Sequence, residues 1–109
     1  MFAMMSGAIT PVDNPMPASL QIHHDPGTQR FLASVEGVQA ELDYECSAGV
    51  MRLTHTGVPS AISGRGVAAE LVRMALEHAR AEGLKVVPAC SYVAGYITRH
   101  PEYEDLLAG

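Results

Sequence analysis

Lysine is nearly missing from this chain, and cysteine is scarce. The 7 basic residues are Arg30, Arg52, Arg65, Arg73, Arg80, Arg99 and the single Lys85, and they are scattered. Against 12 acidic residues they leave a formal charge of −5. Binding nucleic acid regardless of sequence needs a concentrated positive surface, so a nucleic-acid partner is not expected. The 2 cysteines, Cys46 and Cys90, make neither a disulfide framework nor a zinc set, and no metal site is expected. They suit a reducing cytosol. No apolar run approaches the ~20 residues of a membrane span. No basic residue precedes Arg30, which argues against a secretory signal and an Arg-rich transit peptide. The expected location is therefore cytoplasmic, with no membrane partner.

What is present suffices for one core. A length of 109 residues with 48% hydrophobic side chains suits a single packed domain rather than disorder. Residues 1–18 are rich in Met and Pro without periodicity and read as a flexible N-terminal tail, and 19–109 as the domain. Leu20 to His24 alternates weakly and reads as a first strand ending in the turn Asp25-Pro26-Gly27. Adjacent strand residues point to opposite faces, so His23 and His24 do not easily share an ion. Arg30–Val35 and Val38–Tyr44 flank Glu36-Gly37 as a hairpin. Val38, Ala40, Leu42 and Tyr44 alternate with Gln39, Glu41, Asp43 and Glu45, giving a core face and a solvated acidic face. Cys46 to Gly49 reads as a turn. The next strand, Val50–Val58, is expected to carry Met51, Leu53 and His55 on one face and Arg52, Thr54 and Thr56 on the other. Gly57 suggests a bulge or a close approach.

The stretch from Val58 to Gly83 organises the rest. A strand end leads through Ser63-Gly64-Arg65-Gly66 into a helix over about Gly66 to Glu82, with Val67, Ala68, Leu71, Val72, Ala75, Leu76 and Ala79 on one stripe. His78 reads as a surface helix residue. The first N–H groups of a helix lack intrahelical partners, and its dipole favours negative charge there. Gly64 and Gly66 lack the Cβ atoms that would hold a phosphate away, and Arg65 adds a positive charge. The turn therefore reads either as a phosphate cradle or as a plain strand-to-helix connection. No Gly-Lys-Ser/Thr follows, so it is not the phosphate loop of nucleoside triphosphatases. Leu84–Val87 reads as a short strand closed by Pro88. A second helix follows from about Ser91, with Tyr92 and Tyr96 on one face, and Glu102 to Leu107 forms a terminal helix or turn.

Several blocks occur here in a characteristic order: Leu53-Thr54-His55-Thr56 with Val58-Pro59, Gly64-Arg65-Gly66-Val67-Ala68, Gly83 to Cys90, and Tyr96 to Tyr103. In that order and spacing, over about Gln29 to Leu107, the chain resembles the GNAT superfamily of acetyl-CoA-dependent N-acetyltransferases, and within it the small Yjdj-type branch. The resemblance implies an α+β fold, three-layer-like, with a mixed, mostly antiparallel sheet, one long helix and one or two short ones. It implies acetyl-CoA or CoA as cofactor, held in a split between two strands. The CoA pyrophosphate would lie on Ser63, Gly64, Arg65, Gly66, Val67 and Ala68, with Ser63 standing where the family pattern has Gln or Arg. The pantetheine arm would pair with Thr56, Gly57 and Val58. Arg99 and His100 would either touch the CoA phosphates or merely end the helix.

Acetyl transfer to an amine needs a neutral nucleophile, a polarised thioester carbonyl and a proton for the leaving thiolate. Cys90 falls where the branch keeps a cysteine. It reads as a nucleophile that carries the acetyl group, or as a passive wall of the acetyl pocket. His55 is the candidate base, or a hydrogen-bonded core histidine. Tyr96 stands near the family's thiolate-protonating tyrosine, or packs helix to sheet. The expected activity is transfer of acetyl from acetyl-CoA to an amine acceptor, a small molecule or a protein amino group. The rival expectation is a CoA or acyl-CoA binding module without catalysis.

Overall fold

The computed structural model of the chain describes residues 20–108. The tail expected over 1–18 lies outside them. Five strands form one sheet in sequential order, and it is mixed: β1 (Gln21–Asp25), β2 (Arg30–Val35), β3 (Val38–Ser47) and β4 (Val50–Gly57) run antiparallel, and β5 (Lys85–Pro88) joins β4 in parallel. Helix α1 (Val67–Glu82) links β4 to β5, helix α2 (Ser91–Arg99) follows β5, and 3-10 segments cover Ser60–Ile62 and Pro101–Leu106. The class is α+β, as expected.

Two of the three hairpin turns, between β2 and β3 and between β3 and β4, are two-residue turns that arise from local chemistry. Glu36 and Gly37 have φ of 51° and 81°, and Ala48 and Gly49 have 53° and 79°. Paired left-handed residues match the right-handed twist of the flanking strands. The second turn is thus shorter than Cys46 to Gly49, and β3 runs on to Ser47.

The period-two pattern of β3 holds: Ala40, Leu42 and Tyr44 are buried while Gln39 and Glu45 are exposed. Those inward side chains meet Phe31, Ala33 and Val35 of β2, Met51 and Leu53 of β4, and Leu71, Val72, Ala75, Leu76 and Ala79 of α1. Each such Leu or Val contributes about 1.5–3 kcal/mol through burial. Gly83 ends α1 in the left-handed conformation, its N–H donating to the carbonyls of Ala79 and Arg80.

Strand β4 departs from simple alternation. Tyr44 pairs with Leu53 but Asp43 pairs with His55, so Thr54 is an extra residue, a β-bulge, whose hydroxyl donates to the Asp43 carbonyl at 3.2 Å. Beyond it the phase inverts. Thr56 lies opposite buried Leu42, and His55 and Gly57 lie opposite Asp43 and Glu41. His55 therefore does not share the face of Met51 and Leu53; it is exposed on the opposite face of the sheet. The bulge suggested by Gly57 exists, three residues earlier.

Candidate functional site

The parallel pairing of β4 and β5 is short. It runs from Val50–Lys85 to Leu53–Pro88, and the Cys90 N–H donates to the Leu53 carbonyl at 3.0 Å. There the chain turns into α2, while β4 continues to Gly57. The two strands part at this point, and the split opens toward the start of α1.

A cleft of about 270 Å³ lies there, lined by Val58, Ser63, Gly64, Gly66, Val67, Ala68, Ala69 and Tyr92. Gly64 and Gly66 have φ of 80° and 78°, a conformation that favours glycine. Gly66 is the N-cap of α1 and no side chain caps the helix. Its carbonyl accepts from the Glu70 N–H at 3.1 Å, as a helix start requires. The N–H groups of the first turn are left facing the cleft rim, where the helix dipole is positive. Ser63 does not fill that role, because its hydroxyl is committed to the Ser60 carbonyl at 3.1 Å. A helix start with two left-handed glycines and no cap fits an oxygen-rich anion such as a pyrophosphate.

Cys90 sits deeper, half-buried at the start of α2. Its Sγ lies 3.5 Å from Thr56 Oγ1. Burial pushes its thiol up, but hydrogen bonds from the Thr56 hydroxyl and from the backbone N–H groups of Val93, Tyr92 and Thr56 outweigh it. The net result lies below the ordinary thiol value. Donors converging on one sulfur at a helix N-terminus are the setting that favours a thiolate. The bulge at Thr54 creates this contact, since it turns Thr56 rather than His55 toward Cys90.

The other expected residues are placed unevenly. Thr56 and Gly57 end β4 at the split, and Val58, just past the strand, stands in the cleft wall. Arg65 is drawn out of the cleft by an ion pair with Glu36 at 3.2 Å. Arg99 is exposed at the end of α2, where its guanidinium lies back beside Gly95. Tyr96 is 5% exposed, stacks on His100 with ring centroids 4.0 Å apart and does not line the cleft. Burial pushes its hydroxyl up, opposed in part by Arg73. The tyrosine in the cleft wall is Tyr92, one turn earlier on the same face of α2. Its i,i+4 spacing from Tyr96 was the signal available in the sequence. Ala69 is the other wall residue that sequence reasoning missed. His55 stands on the far face, and its Nε2 would lie 3.2 Å from a Cβ at Gly57.

Among the described residues no three His, Cys, Asp or Glu side chains gather where they could hold a metal ion, and no helix is long and apolar enough to cross a membrane.

Comparison with known proteins agrees with this fold. A family model described as GCN5-related N-acetyl-transferase matches residues 30–106. Protein NATD1 of Gallus gallus is 34% identical over 85 residues, covering 75% of this chain and 77% of that protein. Protein NATD1 of Homo sapiens is 33% identical over 85 residues, covering 75% of each. The NMR solution structure of a GCN5-like protein from Staphylococcus aureus matches with a TM-score of 0.66 at 26% identity, covering 85% of this chain and 92% of that one.

Proposed function

Because the chain belongs to the GCN5-related N-acetyl-transferase family, we propose that it transfers the acetyl group of acetyl-CoA to an amine. The observation that carries this reading is the uncapped start of α1, with left-handed Gly64 and Gly66 beside a cleft that leads to the β4–β5 split. The N–H groups of the first turn of α1 hold the pyrophosphate. The stretch from Thr56 to Val58, at and just past the end of β4, offers its backbone to the pantetheine arm, and Tyr92 closes that side of the cleft. Acetyl-CoA supplies an activated thioester.

Cys90 acts as the nucleophile in this reading. Hydrogen bonds from Thr56, Tyr92 and Val93 favour its thiolate form, and it is the thiolate that attacks the thioester carbonyl. An S–C bond forms to Cys90, the bond to the CoA sulfur breaks, and the CoA thiolate leaves with a proton from solvent. A neutral amine then attacks the acetyl carbonyl, the C–S bond to Cys90 breaks, Cys90 leaves as the thiolate, and the proton lost by the amine nitrogen passes to a base or to solvent. The acceptor is a small amine or a protein amino group. His55 lies across from Asp43, on the sheet face away from Thr56 and Cys90, so it can serve as base only for an amine that approaches from that face.

The test is release of free CoA thiol when the protein meets acetyl-CoA and a panel of amines, for wild type and Cys90→Ala. Turnover by wild type and its loss in Cys90→Ala, with CoA binding retained, is the expected result. Full activity in Cys90→Ala would make Cys90 a pocket wall. One observation favours a second reading, a CoA-binding module without turnover: Tyr96 is buried away from the cleft. Binding without thiol release by wild type would select it.

A further inference from the structure

Among the described residues, strand β1 is an edge of the sheet, paired with β2, and it lies at the opposite edge from β5 and the cleft. Its inward side chains Ile22 and His24 are only half-buried. His24 takes the position where an apolar residue would tie the strand down. Its ring lies flat on Phe31, with centroids 4.1 Å apart and planes 5° apart. Its Nε2 is 2.6 Å from the Tyr44 hydroxyl. From α1, His78 meets the same ring edge-on at 4.5 Å between centroids. His78 also stands 5.9 Å from Phe31, so it is half-buried in an aromatic cluster and is not the plain surface residue that its helix position suggested. Nothing in the proposed reaction uses this cluster.

We infer that His24 and His78 form an acid-sensitive latch between β1 and α1, closed while the rings are neutral and opened when both are protonated. Neutral imidazoles pack as aromatic rings, whereas two imidazolium rings at this separation repel one another across a half-buried contact. The groups facing His24 from each packed element make the sign clear. Phe31 of β2 is uncharged, and Tyr44 of β3 offers a neutral hydroxyl. His78 of α1 and His23 of β1 oppose a proton on His24, and Asp25 of β1 favours one. Burial is the largest influence, and with the two histidines it holds His24 below its ordinary value. A group whose folded value is depressed contributes stability above its unfolded value and loses it as pH falls. The contribution of His24 is therefore complete above about pH 6.5 and fades below it. The strand that loosens is β1, which would leave Phe31 and the β2 edge uncovered.

The experiment is NMR on the full chain: histidine ring titration, and amide exchange at pH 7.5 and 5.0. We expect His24 to titrate below 6.5, and the protection of Gln21–Asp25 to fall at least several-fold more than that of β3 on acidification. His78→Gln should reduce that excess, and His23→Gln, a weaker neighbour, should change it less. His24 titrating at or above 6.5 in the wild type overturns the latch whether or not either variant folds. So does an equal excess in wild type and His78→Gln.

Discussion

Gly66→Asp places a carboxylate at the one point where the account puts an anion. Gly66 has φ of 78° and ψ of 12° at the N-cap of α1, and a Cβ there meets nothing within 4 Å. The cost to the fold is thus conformational, about 1–2 kcal/mol for an ordinary L-residue and less for Asp, which tolerates the left-handed region. An Asp at an N-cap recovers about 0.5–2 kcal/mol when its carboxylate reaches a free N–H. The two effects oppose, so net stability should change by about 1 kcal/mol or less, a melting shift of about 4–8 °C at most. Ligand binding should change far more. The new carboxylate takes up N–H groups that a pyrophosphate would use, each worth about 1.5–3 kcal/mol to a charged acceptor. A loss of about 3 kcal/mol weakens CoA roughly a hundredfold. Gly66→Ala carries the conformational cost without the charge and should stay within several-fold of wild type. Calorimetric titration with CoA, paired with thermal unfolding, reads both quantities. A folded Gly66→Asp protein that binds CoA like wild type would refute the cradle.

Thr56→Val removes the hydroxyl beside the Cys90 sulfur, so the thiol should rise toward its ordinary value and iodoacetamide alkylation at pH 7 should slow several-fold; an unchanged rate would mean that Thr56 does not set it. His55 is exposed, so His55→Gln should alter stability by no more than about 0.5 kcal/mol. As the base for the amine it should lower kcat at least tenfold with CoA affinity intact, and an unaltered kcat removes it from the chemistry. Tyr103→Phe deletes a 2.6 Å hydrogen bond from the hydroxyl to Glu77 Oε2 and should cost about 1–2 kcal/mol. Burial and Glu77 push the Tyr103 hydroxyl up to about 12. Its contribution is present below pH 10 and lost as pH rises toward 12, so denaturation profiles at high pH should fall more steeply for wild type than for Tyr103→Phe.

Much of the fold could be read from the chain because its signals are local. The left-handed pair Glu36-Gly37, the alternation from Val38 to Tyr44 and the stripe from Val67 to Ala79 each follow from a short-range period or turn preference. The proposed cradle is local in the same way, since its glycines adjoin the helix that they start. The chemistry was harder to read. A single extra residue, Thr54, reverses the faces of His55 and Thr56, and nothing in Leu53-Thr54-His55-Thr56 distinguishes a bulged strand from a regular one. Which of Tyr92 and Tyr96 lines the cleft depends on how α2 leaves β5, a tertiary matter. The ion pair that draws Arg65 to Glu36 joins residues far apart in sequence. His24 and His78 likewise meet only once β1 and α1 are in place.

The most direct test of the central claim is calorimetric titration of the purified chain with acetyl-CoA, with CoA and ATP as comparisons. Saturable binding of acetyl-CoA and CoA, with ATP weak or absent, is the expected result if the cleft joins a pyrophosphate cradle to a strand split that takes a pantetheine arm. Failure to bind either acetyl-CoA or CoA would contradict it, and binding of ATP as tight as CoA would reduce the site to a phosphate cradle alone.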